Sequence, residues 1–291
     1  MRGLNQDFLN CLTEGHLSPL IDRVKEDKDL DLQIRNNYIN IYYKGNSLLK
    51  LGSTKGYKYK PIINNKFTYG LSIPNELADA ITTQQFLRQI PWLKENIQQH
   101  GKFSLETEYE QLLIRANNLE LRNNSEYFVI DRQYTTAHRD RFDLTGFFWD
   151  RDGRKRGQTV PLCFFELKFA LNSDLREVQD QIQRYYNYIA NNSKSFAQEC
   201  HRVFNQKILL GLLNQPKDRM DALKTLAFAE NVEDYKFVLV LIDYNPNSTL
   251  FALDKLKQLP FASQISIFEA GFAMWKQNVK AIFEDNYMES R

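Results

Sequence analysis

Residues 162–169 read Leu-Cys-Phe-Phe-Glu-Leu-Lys-Phe, an almost unbroken apolar run rich in residues that favour β-strands. Its only charges are Glu166 and Lys168, which are two residues apart and therefore share one face of a strand. A carboxylate in such a strand is costly unless it is paired or binds a cation. The run thus predicts a strand with a polar site on one face. A structural pair of Glu166 and Lys168 at a sheet edge is the simpler alternative, and it stays open.

A second strand is predicted just before this run, in Arg-Phe-Asp-Leu-Thr-Gly-Phe-Phe-Trp at 141–149. Alternation predicts that Asp143 shares a face with Arg141 and Thr145, and that the opposite face carries Phe142, Leu144 and Phe148. Residues 150–157, Asp-Arg-Asp-Gly-Arg-Lys-Arg-Gly, have the composition of a turn. The two strands are therefore expected to be hairpin neighbours, with Asp143 near Glu166.

Two neighbouring carboxylates repel each other, and a hard divalent cation relieves that repulsion. Mg²⁺ in particular prefers one or two carboxylates together with waters and phosphate oxygens. This arrangement indicates metal-dependent phosphodiester chemistry, with Lys168 beside the attacking water.

A helix is predicted after the second strand, from Ser173 as N-cap to about Ile189. Apolar residues recur at helical spacing on one side of it, and Gln181, Tyr185 and Tyr188 form a row beside them.

In their order along the chain, Asp143, Glu166-x-Lys168 and Gln181-Ile-x-x-Tyr185 resemble the PD-(D/E)xK nuclease superfamily. Phe142 stands where the name-giving proline would be. The resemblance covers about a third of the chain and implies that the aspartate and the glutamate bind Mg²⁺ or Mn²⁺. It also implies that the lysine orients or activates the attacking water and that the glutamine-tyrosine helix packs beside the site.

Members of that superfamily often carry one more glutamate, on a helix before the first core strand. Residues 103–117 are predicted to form such a helix, with Ser104 as N-cap and an apolar stripe made of Leu105, Tyr109, Leu112, Leu113 and Ala116. Glu110 is next to this stripe and is our choice for a third metal ligand over Glu106. Simple surface carboxylates remain an open alternative for both.

The first core strand is predicted at 126–134. Asp131 and Gln133 in it could line the cleft, or Asp131 could pair with Arg139 or Arg141. Further on, 205–230 suggests a short strand followed by a helix. The apolar run 235–243 predicts a central strand, 264–268 a strand parallel to it, and 271–284 a covering helix.

Residues 1–100 are predicted to be an accessory region, because strands at 32–35 and 38–43 around Asn36-Asn37 indicate a β-meander and the pattern becomes helical from Pro74. Residues 101–291 are then the nuclease-like domain. The three cysteines are scattered, and no segment is apolar enough for a membrane span or a signal sequence. We therefore expect a cytoplasmic protein without a membrane association.

The net charge of +2 means that a nucleic acid must be held by a local patch and a metal. Five residues are candidates for phosphate contacts: Arg141, Arg151, Arg154, Lys155 and Arg156. The turn that carries four of them connects the two ligand-bearing strands, and we expect it to reach over the cleft. A solvated hairpin tip is an equally simple interpretation of these four residues.

The sequence predicts an α/β, restriction-endonuclease-like mixed sheet flanked by helices, preceded by the accessory region. The predicted function is Mg²⁺-dependent cleavage of nucleic acid, with DNA favoured as the substrate and restriction or defence as the role. The alternative is a catalytically silent nucleic-acid-binding or complex-organising module that keeps this fold.

Overall fold

Three β-sheets, one of them only the short parallel pair Thr159–Val160 and Ala227–Phe228, and nine α-helices account for most of the described chain, which in this computed structural model comprises residues 2–53, 59–135, 141–169 and 173–277. The helices are α1 Gln6–Thr13, α2 Ser18–Glu26, α3 Ala80–Leu87, α4 Ile90–His100, α5 Leu105–Ile114, α6 Val178–Ala190, α7 Ser193–Leu209, α8 Lys217–Leu223 and α9 Leu253–Lys257. The strands are β1 Leu30–Ile34, β2 Tyr38–Tyr43, β3 Asn46–Ser53, β4 Tyr59–Ile62, β5 Tyr127–Thr135, β6 Arg141–Phe148, β7 Thr159–Val160, β8 Leu162–Phe169, β9 Ala227–Phe228, β10 Lys236–Ile242 and β11 Ile265–Ala270.

The first sheet is the predicted N-terminal meander. Strands β1 to β4 follow one another in antiparallel order, and Ile34 pairs with Ile39 across the first turn. Asn37 in that turn has a φ of 54°, a conformation that asparagine tolerates better than most residues. The prediction of a meander is confirmed.

The second sheet is mixed and has the strand order β11-β10-β8-β6-β5. Strands β5, β6 and β8 are antiparallel neighbours, whereas β10 runs parallel to both β8 and β11. The hairpin relation of β6 and β8, the first core strand β5 and the parallel pairing of β10 with β11 are all as predicted. Because β8 lies between β6 and β10, the Glu166–Lys168 pair is in the sheet interior and not at an edge.

The faces of the second sheet pack against different helices. Cys163, Phe165 and Leu167 of β8 belong to an apolar cluster that includes Ile114 of α5. Phe164, by contrast, belongs to the larger cluster with α6 and α7. Alternation places Glu166 and Lys168 on the Phe164 side, towards α6.

The accessory region shares its core with the rest of the chain. Leu4 and Phe8 belong to the same buried cluster as Phe147 and Phe204. Lys207 Nζ also donates to Gln33 Oε1 at 3.0 Å across the two parts. The predicted boundary near residue 100 falls between α4 and α5, but the described residues on its two sides are packed together.

Several local predictions are wrong. Helix α7 continues to Leu209 where a short strand was expected, and α6 begins at Val178 because Ser173 opens a separate 3₁₀ turn. Residues 271–277 are not helical, and the remainder of the expected final helix lies outside the described residues. No helix in the described part of the chain has the length and apolar character needed to cross a membrane.

The buried face of α5 also differs from the prediction. Leu105 and Leu112 are 53 and 48% exposed, whereas Glu110 is only 1% exposed and is buried together with Ile114. The helix is therefore turned so that a carboxylate, and not these two leucines, faces inward.

Candidate active site

Asp143 lies at the point where the pairing of β6 with β8 stops. The paired residues run from Phe147 and Leu162 to Leu144 and Phe165, and a regular continuation would place Asp143 directly opposite Glu166. Instead, Asp143 Oδ2 accepts a hydrogen bond of 2.8 Å from the backbone N–H of Leu167. The carboxylate replaces one rung of the ladder and is held beside Glu166.

The strict alternation predicted for β6 fails at this same point. Phe142 packs on the α6 side, with its ring centroid 4.3 Å from that of Tyr185, whereas Leu144 belongs to the cluster with Ile114. Phe142 and Leu144 were expected to share a face, and they do not. The interruption at Asp143 accounts for the change of side.

Glu166 and Lys168 are tied to two residues of α6. Lys168 Nζ lies 2.6 Å from Glu166 Oε1 and 3.0 Å from Gln181 Oε1. Gln181 Nε2 donates to the hydroxyl of Tyr185, whose oxygen is 3.0 Å from Glu166 Oε2. The hydroxyl proton of Tyr185 can be given to Glu166 or to the carbonyl oxygen of Arg141. Glutamine and tyrosine at i and i+4 thus hold the lysine and the glutamate in place.

The surroundings of the Asp143 and Glu166 carboxyl groups disfavour ionisation. Asp143 and Glu166 are each 4% exposed. Burial raises the pKa of Asp143 well above its usual range, and the negative charge of Glu166 raises it further. Burial also raises the pKa of Glu166, although the ammonium of Lys168 works in the opposite direction. A second positive charge placed here would stabilise both ionised carboxylates.

Lys168 is an ammonium in this environment. Burial lowers its pKa, but the charge and hydrogen bond of Glu166 and the charge of Asp143 together outweigh that effect, so the pKa is raised. A proton-accepting role for this lysine is thereby disfavoured relative to charge stabilisation.

Glu110 reaches this region from α5, the helix on the opposite face of the sheet. Its Oε2 is 3.4 Å from Nε of Arg132 and 3.2 Å from Nε2 of Gln133. Burial raises its pKa to about 7 despite the nearby charge of Arg132. Among the described residues no group of three histidine, cysteine, aspartate or glutamate side chains is close enough to hold a metal. Glu110 as a third metal ligand remains a prediction. The two carboxylates that the structure brings together are those of Asp143 and Glu166.

Asp131 and Gln133 take different partners. Asp131 forms ion pairs with Arg2 and Arg35 of the accessory region, so it does not pair with Arg141; Arg139 lies outside the described residues. Gln133, which has a φ of 53°, donates to Glu110. Only Gln133 of the two therefore approaches the candidate site.

The basic turn leaves the sheet at the end away from Asp143. Phe148 is five residue steps along the strand from Asp143, which corresponds to about 17 Å. Arg154 is bound to the protein itself, through Asn124 Oδ1 at 2.7 Å and the carbonyl oxygen of Ser125 at 2.6 Å. Our expectation that this turn reaches over the cleft is therefore wrong. Arg151, Lys155 and Arg156 are exposed, and phosphate contacts away from the site remain a prediction for them.

Arg141 is the predicted phosphate-binding residue that does lie at the site end. It begins β6, its side chain is exposed, and its backbone carbonyl meets the hydroxyl of Tyr185. Its charge also lowers the pKa of Glu110, which places the guanidinium in electrostatic reach of the site.

Arg132 and Lys207 were not anticipated from the sequence. Both are buried, with exposures of 0 and 3%. A single arginine in a strand and a lysine in the last turn of a helix carry no distinctive local pattern, so only the tertiary structure reveals them.

Comparisons with protein family models, with curated proteins and with solved structures gave no match. The chemistry of the site is therefore inferred from its own residues.

Proposed function

We propose that this chain is a Mg²⁺-dependent nuclease with a restriction-endonuclease-like core. The observation that carries the proposal is the burial of Asp143 beside Glu166 on neighbouring strands, with the ammonium of Lys168 against Glu166. Three interacting ionisable groups in a sheet interior are expensive for stability, and their pKa shifts mark a candidate functional site.

The order of the helices and strands supports the assignment of a restriction-endonuclease-like core. Helix α5 precedes the antiparallel strands β5, β6 and β8; helices α6 and α7 follow, and β10 then adds in parallel. From α5 to α6 this is the order that the PD-(D/E)xK resemblance implies: the glutamate helix, the strands with Asp143, Glu166 and Lys168, and then the glutamine-tyrosine helix.

The donor set fits a hard divalent cation in type. Asp143 and Glu166 offer carboxylate oxygens, and Mg²⁺ binds proteins through one or two carboxylates when waters and substrate phosphate complete its shell. Burial raises the pKa of both carboxyl groups, so a divalent cation bound between them would stabilise their ionised forms. When bound, Mg²⁺ or Mn²⁺ would lower the pKa of water and offset charge on the phosphoryl oxygens.

Charge stabilisation and positioning would be provided by residues of the protein itself. The ammonium of Lys168 has three N–H donors, and the described residues provide acceptors for two of them, Glu166 and Gln181. The third can stabilise the negative charge that develops on a phosphoryl oxygen. Gln181 and Tyr185 act as positioning residues, because they fix the lysine and the glutamate relative to each other.

A cleavage assay tests the proposal. Labelled single- and double-stranded DNA and RNA would be incubated with the protein and Mg²⁺, Mn²⁺ or EDTA, and the products separated on a gel. We expect cation-dependent cleavage of at least one substrate and none with EDTA. Asp143→Asn is the matched variant, because its side-chain oxygen can still accept from the Leu167 N–H while the charge is lost.

The same experiment separates an enzyme from a binding module. A shifted but intact substrate with every cation would favour the catalytically silent nucleic-acid-binding alternative. Cleavage that Asp143→Asn retains in full would show that the assigned site is not responsible.

A further inference from the structure

A cavity of about 420 Å³ lies on the other side of α5 from the candidate active site. Its walls come from β1, from α5 and from the segment that follows α7, and neither Asp143, Glu166 nor Lys168 is among the lining residues. The volume is within the range of small-molecule sites, and apolar residues such as Leu30, Ile114 and Leu212 form much of the wall.

The inner wall of this cavity carries a buried ammonium. Lys207, in the last turn of α7, is 3% exposed and donates to Gln33 Oε1 at 3.0 Å. The structure provides no acceptor among the described residues for its other two N–H groups. Buried polar groups are almost always hydrogen-bonded. The two remaining N–H groups of Lys207 depart from this rule, and they lie at the edge of an open space.

The surroundings of Lys207 have a surplus of positive charge. Burial lowers the pKa of Lys207 to about 8; the carboxylate of Asp31 opposes this, and Arg35, Arg132 and Arg2 reinforce it. Asp31 is shared, since its Oδ1 accepts from Gln33 Nε2 at 2.6 Å and its Oδ2 is 3.7 Å from Nε of Arg132.

Arg132 lies near this region between two carboxylates, with its Nε 3.4 Å from Glu110 Oε2 and 3.7 Å from Asp31 Oδ2. Its guanidinium is fully buried over the ring of Tyr42, at 4.3 Å, and none of its nitrogens has a hydrogen-bond partner in the described ranges. The cavity as a whole is lined by five basic and three acidic side chains. An anion at the inner end of the cavity would supply acceptors for the two remaining N–H groups of Lys207.

We propose that this cavity binds a small organic anion, whose carboxylate or phosphate group contacts Lys207 and whose apolar part lies against Leu30, Ile114 and Leu212. The site is separate from the proposed nuclease centre, so it can be tested by binding alone, without any substrate.

The test uses two fluorescent probes of nearly equal shape. 8-Anilinonaphthalene-1-sulfonate carries an anionic group, and N-phenyl-1-naphthylamine is its neutral counterpart. Both would be titrated into the full chain, into Lys207→Met and into Lys66→Met, which serves as control because Lys66 is exposed and does not line the cavity. Competition with octanoate and with inorganic phosphate distinguishes a carboxylate from a phosphate ligand.

We expect the wild type and Lys66→Met to bind the anionic probe at least about tenfold more tightly than the neutral one, and Lys207→Met to lose that preference. Equal affinity of wild type and Lys207→Met for the anionic probe would overturn the proposal. An equal loss of both probes in Lys207→Met would also overturn it, because the lysine would then only shape the cavity.

A second variant keeps the test decisive if Lys207→Met fails to fold. Leu112 lines the cavity and is 48% exposed, so Leu112→Trp can obstruct the opening without disturbing the core. Loss of the anionic probe by folded Leu112→Trp supports the assignment to this cavity, and wild-type affinity in that variant refutes it.

Discussion

Replacing Glu110 by glutamine should make the metal-free protein more stable at alkaline pH but not at acidic pH. Glu110 is 1% exposed, and burial raises its pKa from 4.5 to about 7. A carboxyl group whose pKa is raised on folding favours the folded state below its unfolded pKa, and that advantage is lost as the pH rises through the folded pKa. Each unit of pKa shift corresponds to about 1.4 kcal/mol. The shift of Glu110 from 4.5 to about 7 therefore means that its ionisation lowers the free energy of unfolding by about 3 kcal/mol above pH 8.

Urea denaturation in EDTA at pH 5 and pH 8.5 measures this difference. Glutamine resembles the neutral carboxyl group, so Glu110→Gln should exceed the wild type by less than about 1 kcal/mol at pH 5, just above the unfolded pKa of 4.5, and by about 3 kcal/mol at pH 8.5. Glu108→Gln, an exposed position on the same helix, should stay within about 0.5 kcal/mol at both pH values. Stability curves for wild type and Glu110→Gln that run parallel from pH 5 to 8.5 would refute this reasoning.

Two further predictions concern the proposed site and the basic turn. Lys168→Met should lower single-turnover cleavage with bound substrate by about a hundredfold or more, because the ammonium stabilises charge in the chemical step; a wild-type rate with weaker substrate binding would instead make Lys168 a phosphate anchor. Arg154→Ala should lower the free energy of unfolding by about 1–2 kcal/mol, since the guanidinium donates to Asn124 and Ser125, whereas Arg151→Ala should change it by less than about 0.5 kcal/mol. Equal effects of the two arginine variants in denaturant titrations would show that Arg154 is a solvated turn residue.

Local pattern was sufficient to predict much of the second sheet. The apolar run at 162–169 and the turn at 150–157 predict two neighbouring strands, and β6 and β8 are antiparallel neighbours. The continuous apolar run of β10 likewise predicts a strand inside the sheet, where β8 and β11 flank it. These features depend on residues that are close in sequence, so their periodicity carries the information.

The partners of the buried charges could not be predicted in this way. Asp131 pairs with Arg35, which is 96 residues away, and Lys207 with Gln33 at a separation of 174. Nothing local distinguishes these charges from solvated ones. The face of α5 that is buried was also misjudged, because the carboxylate of Glu110 is accommodated by Arg132, a residue of another element.

The position of the basic turn could have been worked out from the sequence. In an antiparallel hairpin, the turn and the open ends of the strands lie at opposite ends. Asp143 is near the start of its strand and Glu166 near the end of the next, so both are far from residues 150–157. Counting residues along the strands corrects the expectation.

The central claim is that Asp143 and Glu166 together hold a divalent cation. Titration of the protein with Mn²⁺, followed through the electron paramagnetic resonance signal of free Mn²⁺, tests it without any assumption about substrate. We expect the wild type to bind Mn²⁺, Mg²⁺ to displace it, and Asp143→Asn and Glu166→Gln each to lose most of the binding while remaining folded. Unchanged Mn²⁺ binding in both variants, or none in the wild type, would contradict the assignment.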